Sequence, residues 1–242
     1  MNKTYLHIEY EPPVATWLPR VMTRLGESAS IDLQSRMKNW SKTSLREMGL
    51  ALSTKLAMLS LVVDRLDGRI QRLYHHLALK EDKVQTCIRD KAAYTVPESL
   101  LPYEILLDID GFLFESRSVY EIVGKFIKEF HTKILCQRLT EDEIKDMMAL
   151  KGIDTRWIEE LRTNRILFFH ETAPWIALEV KSQNPAKFEI LVMKRDLKDF
   201  SNSQDYISLN QLRDIFNGFK ASMGAIYAWL IEKITDYEKA TT

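Results

Sequence analysis

A long stretch of apolar residues at helical spacing constrains this chain more than any other feature. Between about Ser44 and Leu79, apolar side chains recur every three or four positions, as they do on the buried face of an amphipathic helix. The chain has only 8 Gly and 7 Pro in 242 residues, so few sharp turns are available and the elements between them must be long. The sequence therefore predicts a mostly α-helical protein.

Similar apolar stripes predict further helices. A second helix should follow the first one and run to about Tyr94, before Pro97. Another should begin at Pro102, since proline suits the first helical turn, and run to about Leu139. A last helix carries a stripe that starts at Leu212, and its end beyond Tyr237 is expected to fray. Long helices with short connections favour an antiparallel bundle.

Helix-capping residues mark four more boundaries. Thr140–Glu143 and Ser208–Gln211 have the capping-box pattern, in which each end of the motif satisfies a backbone N–H of the other. Gly152 should end the helix that Thr140 begins. Asp154 should cap the next helix, which is expected to run to about His170.

Two β-like runs interrupt the helices. Trp175–Val180 and Phe188–Met193 flank a turn-rich segment and predict an antiparallel hairpin. Thr4–Glu11 alternates like a short strand before two prolines, and this strand is a possible third member of the sheet. The expected organisation is one helical domain over residues 1–242, with a hairpin inserted at about 175–193.

Charge and cysteine content exclude several classes of protein. The 34 Lys and Arg balance 34 Asp and Glu, so no overall field attracts nucleic acid or an anionic membrane. Cys87 and Cys136 form no C-x-x-C pair, which argues against a disulfide framework or a zinc site and favours a reducing cytoplasm. The N-terminus lacks a signal-peptide pattern, and polar residues interrupt the most apolar window, Leu50–Val63. We expect no membrane segment.

A short aspartate motif offers one possible chemistry. Leu107–Leu113 resembles the first motif of haloacid-dehalogenase-type phosphatases, in which one aspartate attacks phosphorus and a second serves as acid and base. The resemblance implies those roles for Asp108 and Asp110. Phe112 stands where that family usually has threonine, and helical periodicity runs through the motif, which should follow a strand. The structural alternative is a first helical turn whose carboxylates favour the positive end of the helix dipole.

The adjacent histidines do not predict a metal site. His75 and His76 have Asp64, Asp67 and Glu81 nearby in sequence. Neighbouring side chains on a helix point about 100° apart, so two adjacent histidines cannot readily bind the same ion. We therefore expect neither a metal nor another cofactor.

The segment Asn164–Glu171 carries the strongest functional pattern. Its Arg165 and His170 have the R-x4-6-H spacing, and the segment resembles the signature of the HEPN superfamily. Members are small helical bundles that commonly form dimers and include metal-independent endoribonucleases of toxin and defence systems. The resemblance implies that Arg165 holds the scissile phosphate and that His170 acts as acid or base when the RNA 2′-hydroxyl attacks.

The resemblance also implies supporting residues and partners. Asn164 and Glu171 would orient the pair, and Arg162 is a further supporting residue. RNA, a second copy of the chain and an antitoxin or other protein are the expected partners.

Arg69 has the same spacing to His75 or His76, but the later segment is favoured. It lies on a late helix beside the closing helix, and Pro102–Leu139 resembles an earlier bundle helix of the same superfamily. The spacing raises a geometric question. On an ideal helix, residues five apart differ by about 140° and roughly 7.5 Å, so Arg165 must reach round the helix or the helix must end near His170.

A second hypothesis assigns the bundle no catalysis. An RNA-cleaving protein usually presents a basic stripe, whereas here the candidate cations, Arg156, Arg162, Arg165 and Lys181, are scattered. The neutral charge therefore leaves open a helical dimer that binds a protein or nucleotide partner.

Overall fold

The computed structural model describes residues 17–42, 44–90, 92–166, 174–179, 189–194 and 205–241. These residues form a mostly helical fold with a small antiparallel sheet, as the sequence predicts. The elements are α1 Trp17–Gly26, α2 Ile31–Ser41, α3 Leu45–Leu79, α4 Glu81–Arg89, α5 Leu101–Phe130, α6 Glu141–Leu150, α7 Arg156–Ile166, β1 Pro174–Glu179, β2 Glu189–Lys194, β3 Tyr206–Ser208 and α8 Leu209–Thr241.

The two helices α3 and α5 pack side by side in antiparallel directions. Lys55 of α3 pairs with Glu115 of α5, whereas Arg69, further along α3, pairs with Glu104, nearer the start of α5. Because residue numbers rise on one helix as they fall on the other, the helices run in opposite directions. This confirms the predicted antiparallel arrangement for this pair.

The apolar stripes supply the hydrophobic core. Buried side chains from every helix join those of β2 and β3 in one continuous cluster. The predicted stripe of α8 is buried throughout: Leu212, Ile215, Phe219, Met223, Ile226, Leu230 and Ile234. Among the described residues, no helix combines the length and apolar character needed to cross a bilayer.

The end of α5 differs from the sequence prediction. The α-helix gives way to a π-helical turn at His131–Leu135, and Cys136 then adopts a left-handed conformation with φ of 53°. A left-handed residue stops a helix, but usually it is glycine. The prediction that this helix reaches Leu139 is therefore wrong by several residues. The helix α4 likewise ends at Arg89, short of the expected Tyr94.

The predicted caps are present. Thr140 and Glu143 form a complete capping box, and Gly152 adopts a positive φ of 73° just after α6. The Asp154 side chain accepts a hydrogen bond of 2.9 Å from the backbone N–H of Arg156. These contacts fix where α7 begins, and α7 carries the candidate residue Arg165.

The sheet has the strand order β1-β2-β3 and is antiparallel throughout. Pairing of Trp175 with Met193 confirms the predicted hairpin. The three-residue strand β3 was not predicted, because it is too short to show an alternating pattern. The expected strand at Thr4–Glu11 lies outside the described residues. At the other end of the chain, α8 continues to Thr241 rather than fraying from Tyr237.

The helix α7 packs on both α5 and α8 through Trp157. The indole makes edge-to-face contacts with Tyr120 of α5 and Phe219 of α8, at centroid distances of 5.6 and 5.9 Å. Its Nε1 donates a buried hydrogen bond of 3.0 Å to Ser222 Oγ. Gly218 provides the space for this side chain, since a Cβ there would lie only 2.5 Å from Trp157 Cδ1.

Candidate functional site

Arg165 lies in the last turn of α7, and its side chain is partly exposed. The guanidinium carbon is 6.0 Å from the centroid of the Phe114 ring on α5. The contact places a cation of α7 above an aromatic side chain that is itself 41% exposed. Arg165 therefore lies at the protein surface, in the position that an anionic ligand would need.

Asp110 lies close enough to Arg165 for their charges to interact. Partial burial raises the pKa of the Asp110 carboxyl, and the positive charge of Arg165 opposes that rise. An opposite charge favours the ionised carboxylate, so Asp110 partly balances Arg165 in the protein alone.

Lys55 of α3 reaches the same aromatic ring from another helix. Its Nζ is 5.1 Å from the Phe114 centroid and donates a hydrogen bond of 3.1 Å to Glu115 Oε1. Glu115 is buried, with 5% of its surface exposed, so it fixes the ammonium group in place. Three helices thus bring two cations and two carboxylates around one aromatic side chain.

The other predicted site residues differ from Arg165 in their surroundings. Asn164 is buried, with 4% exposure, so it faces the interior while Arg165 faces outward. The Arg162 side chain is exposed, and its Nη1 lies 3.8 Å from Oε2 of Glu159, one turn earlier on α7. His170 and Glu171 lie outside the described residues, as does the expected continuation of the helix to His170. The pairing of Arg165 with His170 therefore stays a prediction.

The alternative match at Arg69 is occupied by ion pairs. Arg69 binds Glu104 and the buried carboxylate of Asp108. His76 Nε2 lies 2.7 Å from Glu98 Oε1, and His75 is exposed. Arg69 thus forms part of the α3–α5 contact, which leaves the later segment as the better candidate for a ligand site.

Asp108 has a structural environment that the sequence did not indicate. It is fully buried inside α5, where Arg69 binds one oxygen and Arg65 Nη2 lies 2.8 Å from the other. The interpretation of Asp108 as a first-turn residue stabilised by the helix dipole is wrong, because α5 begins at Leu101. The motif also lies within a helix, whereas the phosphatase chemistry requires it to follow a strand of a parallel sheet.

No three potential metal ligands converge within the part of the chain that the structure describes. His75 and His76 point apart, with ring centroids 6.5 Å from each other. Cys87 and Cys136 are both free thiols. The donor groups that the sequence offered are therefore not assembled around one point.

Comparison with known proteins adds no relative to this description: no family model, curated protein or solved structure matches the chain.

Proposed function

We propose that the protein is a HEPN-like, metal-independent endoribonuclease of the toxin or defence type that acts in the cytoplasm. The observation that carries the proposal is the position of Arg165, at the exposed end of α7 beside Phe114 and Asp110. His170 follows Arg165 by five residues in the sequence. A planar guanidinium at the surface suits bidentate binding of a phosphodiester.

The reaction needs only the groups of the protein and the RNA. His170 would accept the proton of a ribose 2′-hydroxyl while that oxygen attacks the neighbouring phosphorus. The bond from phosphorus to the 5′-oxygen breaks, the leaving oxygen takes up a proton from water, and protonated His170 releases its proton to the solvent. The products are a 2′,3′-cyclic phosphate and a 5′-hydroxyl. Arg165 would stabilise the negative charge that develops on the phosphate oxygens.

A second copy of the chain is the expected partner in this proposal. Tyr103 and Leu107 of α5 and Leu100, the residue just before it, are exposed on one side, with 70%, 65% and 68% of their surfaces accessible. Large apolar side chains grouped on one helix face are typical of protein interfaces. The row leads toward Phe114 and Arg165, so a twofold contact along α5 would bring two Arg165–His170 segments together.

Cleavage of a mixed RNA pool in EDTA tests the function. Wild type should cut RNA, leave 2′,3′-cyclic phosphate ends and leave DNA of the same sequences intact. His170→Ala and Arg165→Ala should each reduce the rate by about 100-fold or more. Arg156→Ala is the matched control, because it removes an exposed, ion-paired arginine from the same helix but outside the predicted site, and it should retain most of the activity. Intact RNA with folded wild-type protein would overturn the proposal.

A non-catalytic helical interaction protein is the second candidate. Two surface cations of the α7 region are neutralised by neighbours, Arg156 by Asp154 and Arg162 by Glu159. They offer little attraction for a phosphate backbone, whereas the apolar side chains of α5 suit a protein partner. A stable dimer that neither binds nor cuts RNA would favour this candidate.

A further inference from the structure

An open cleft of about 470 Å³ lies along the second half of α5. Its volume is within the range of ligand-binding pockets in proteins. Arg165 and Phe114 do not line this cleft, so it is distinct from the proposed nuclease site. The floor of the cleft is formed by buried apolar side chains of three helices: Tyr120, Val123 and Ile127 of α5, Ile144 of α6 and Ile226 of α8.

The rim of the cleft is basic. Among the described lining residues, four cations stand against two carboxylates, although the chain as a whole is neutral. One carboxylate, Glu121, accepts a hydrogen bond of 2.7 Å from Arg117. The other, Glu129, accepts hydrogen bonds from Trp40 Nε1 and Ser44 Oγ. The remaining cations of the rim are exposed lysines: Lys125, Lys128 and Lys133.

Gly124 lies among these lining residues and keeps the cleft open. A Cβ added there would meet no atom within 4 Å, so packing within the protein does not require a glycine. Glycine in the interior of a helix is destabilising relative to alanine, so this residue weakens α5 in the protein alone. Without a side chain, however, α5 can be approached closely by a second chain at this point.

We propose that the α5 cleft binds an acidic amphipathic helix of a partner protein. A helix that binds in a groove inserts apolar side chains that are spaced three or four residues apart. One such side chain would lie over Gly124, and carboxylates that flank the apolar stripe would reach Lys125 and Lys128. Complementary charges of this kind orient the partner and accelerate association.

The lining of the cleft favours a protein helix over two other anionic partners. Single-stranded nucleic acid binds through accessible aromatic faces, but Tyr120, the aromatic residue of the described lining, is only 7% exposed. A flat anionic membrane would cover the exposed lysines and leave the recessed apolar floor unfilled. An amphipathic helix supplies both an apolar ridge for the floor and acidic flanks for the rim.

Selection from a displayed library of helical peptides tests the proposal. Each peptide carries leucine along one helix face, and the positions that flank this face are randomised among Glu, Gln and Lys. The wild-type protein should enrich peptides that are rich in Glu, and binding of the best one, synthesised with a fluorophore, should weaken as salt is added. The same peptide with Gln in place of Glu should bind about tenfold more weakly.

Substitutions in the cleft should remove this binding. Lys128→Glu should weaken it by about tenfold or more, whereas Lys128→Arg should retain it. Gly124→Leu should fill the cleft and weaken binding by a similar factor. Gly124→Ala should raise the Tm of the free protein by about 2 °C or more and still weaken binding, which separates docking from folding.

Two substitutions outside the cleft are the matched controls. Lys83→Glu reverses the charge of an exposed lysine on α4, and Gly68→Leu adds a side chain to a glycine of α3 that also faces open space. Neither residue lines the cleft, so both variants should bind the peptide as the wild type does.

Enrichment of Glu-rich peptides whose binding needs Lys128 and Gly124 would support the docking site. Absence of enrichment, enrichment without acidic bias, or equal binding by the cleft variants and the control variants would overturn it. A single-stranded RNA, or vesicles containing phosphatidylserine, that displace the peptide and bind more tightly in a Lys128-dependent way would also overturn the assignment to a protein helix. None of these readouts depends on RNA cleavage, so the docking site and the nuclease are tested separately.

Discussion

The imidazole of His131 lies nearly flat against the indole of Trp229, with ring centroids 4.9 Å apart and an interplanar angle of 18°. His131 is 3% exposed, and neither ring nitrogen has a hydrogen-bond partner. Burial, helped by the charge of Lys233 and opposed by that of Glu143, lowers the pKa of His131 from 6.5 to about 4. The folded protein therefore holds this histidine neutral.

This burial predicts a loss of stability in mild acid. Because the unfolded chain takes up the proton near pH 6.5 and the folded protein only near pH 4, stability is lost progressively as the pH falls between those values. Because of His131, the unfolding free energy should be about 2 kcal/mol lower at pH 5 than at pH 7. Urea unfolding at pH 7 and pH 5 measures it. His131→Phe keeps a ring against Trp229 and should lose less stability on acidification; an equal loss would contradict the assignment.

The buried Asp108 predicts a large cost for removing one charge. Asp108→Asn keeps the side-chain shape but deprives Arg65 and Arg69 of their common carboxylate. We expect the unfolding free energy to fall by about 2 kcal/mol, because the buried side chain loses its charge-assisted hydrogen bonds to two arginines. The exposed Asp64 on α3 is the control, and Asp64→Asn should change stability by less than about 0.5 kcal/mol. Similar effects of the two substitutions on the unfolding free energy would show that the ion pairs of Asp108 contribute little to stability.

Two glycines of α8 predict opposite effects of the same substitution. Gly224→Ala meets no atom within 4 Å and should stabilise the helix by up to about 1 kcal/mol. Gly218→Ala places a methyl group against Trp157 and should cost about 1–3 kcal/mol through overpacking. Thermal unfolding of the two variants measures the contrast. If both are stabilised, α7 does not pack tightly on α8.

The exposed row on α5 predicts the oligomeric state. Leu107→Glu introduces a charge into the proposed contact and should convert a dimer into a monomer, as seen by sedimentation velocity. Leu150→Glu is matched in chemistry and lies on α6 at a side chain that is 88% exposed, so it should leave the dimer intact. A monomeric wild type, or a Leu107→Glu variant that stays dimeric, would exclude this interface.

Periodicity was sufficient to predict the helices because burial follows it directly. The stripes of α3, α5 and α8 pack into the core, and the capping boxes at Thr140 and Ser208 form as expected. The end of α5 could not be predicted, since Cys136 carries no sequence signal for its left-handed conformation. Local rules predict local structure well, but they miss a left-handed residue that is not glycine.

The surroundings of the candidate site were much less predictable. Arg165 could be chosen from its spacing to His170, but Phe114 and Lys55 come from helices far away in the sequence. The one signal available for Asp108 was the pair Arg65 and Arg69, which lie one turn apart on α3 and face α5 once the helices are antiparallel. Using that signal requires the register between two helices, which no single-helix pattern contains.

The pocket that receives Trp157 is built by Gly218 and Ser222 of α8, which leaves the ribosome after α7. During synthesis Arg165 therefore emerges on a helix whose supporting surface on α5 exists but whose surface on α8 has not yet been made. A nascent chain that stops before Gly218 contains the arginine but lacks the α8 residues that help to position its helix. The surroundings of the proposed site are therefore complete only after α8 has been synthesised.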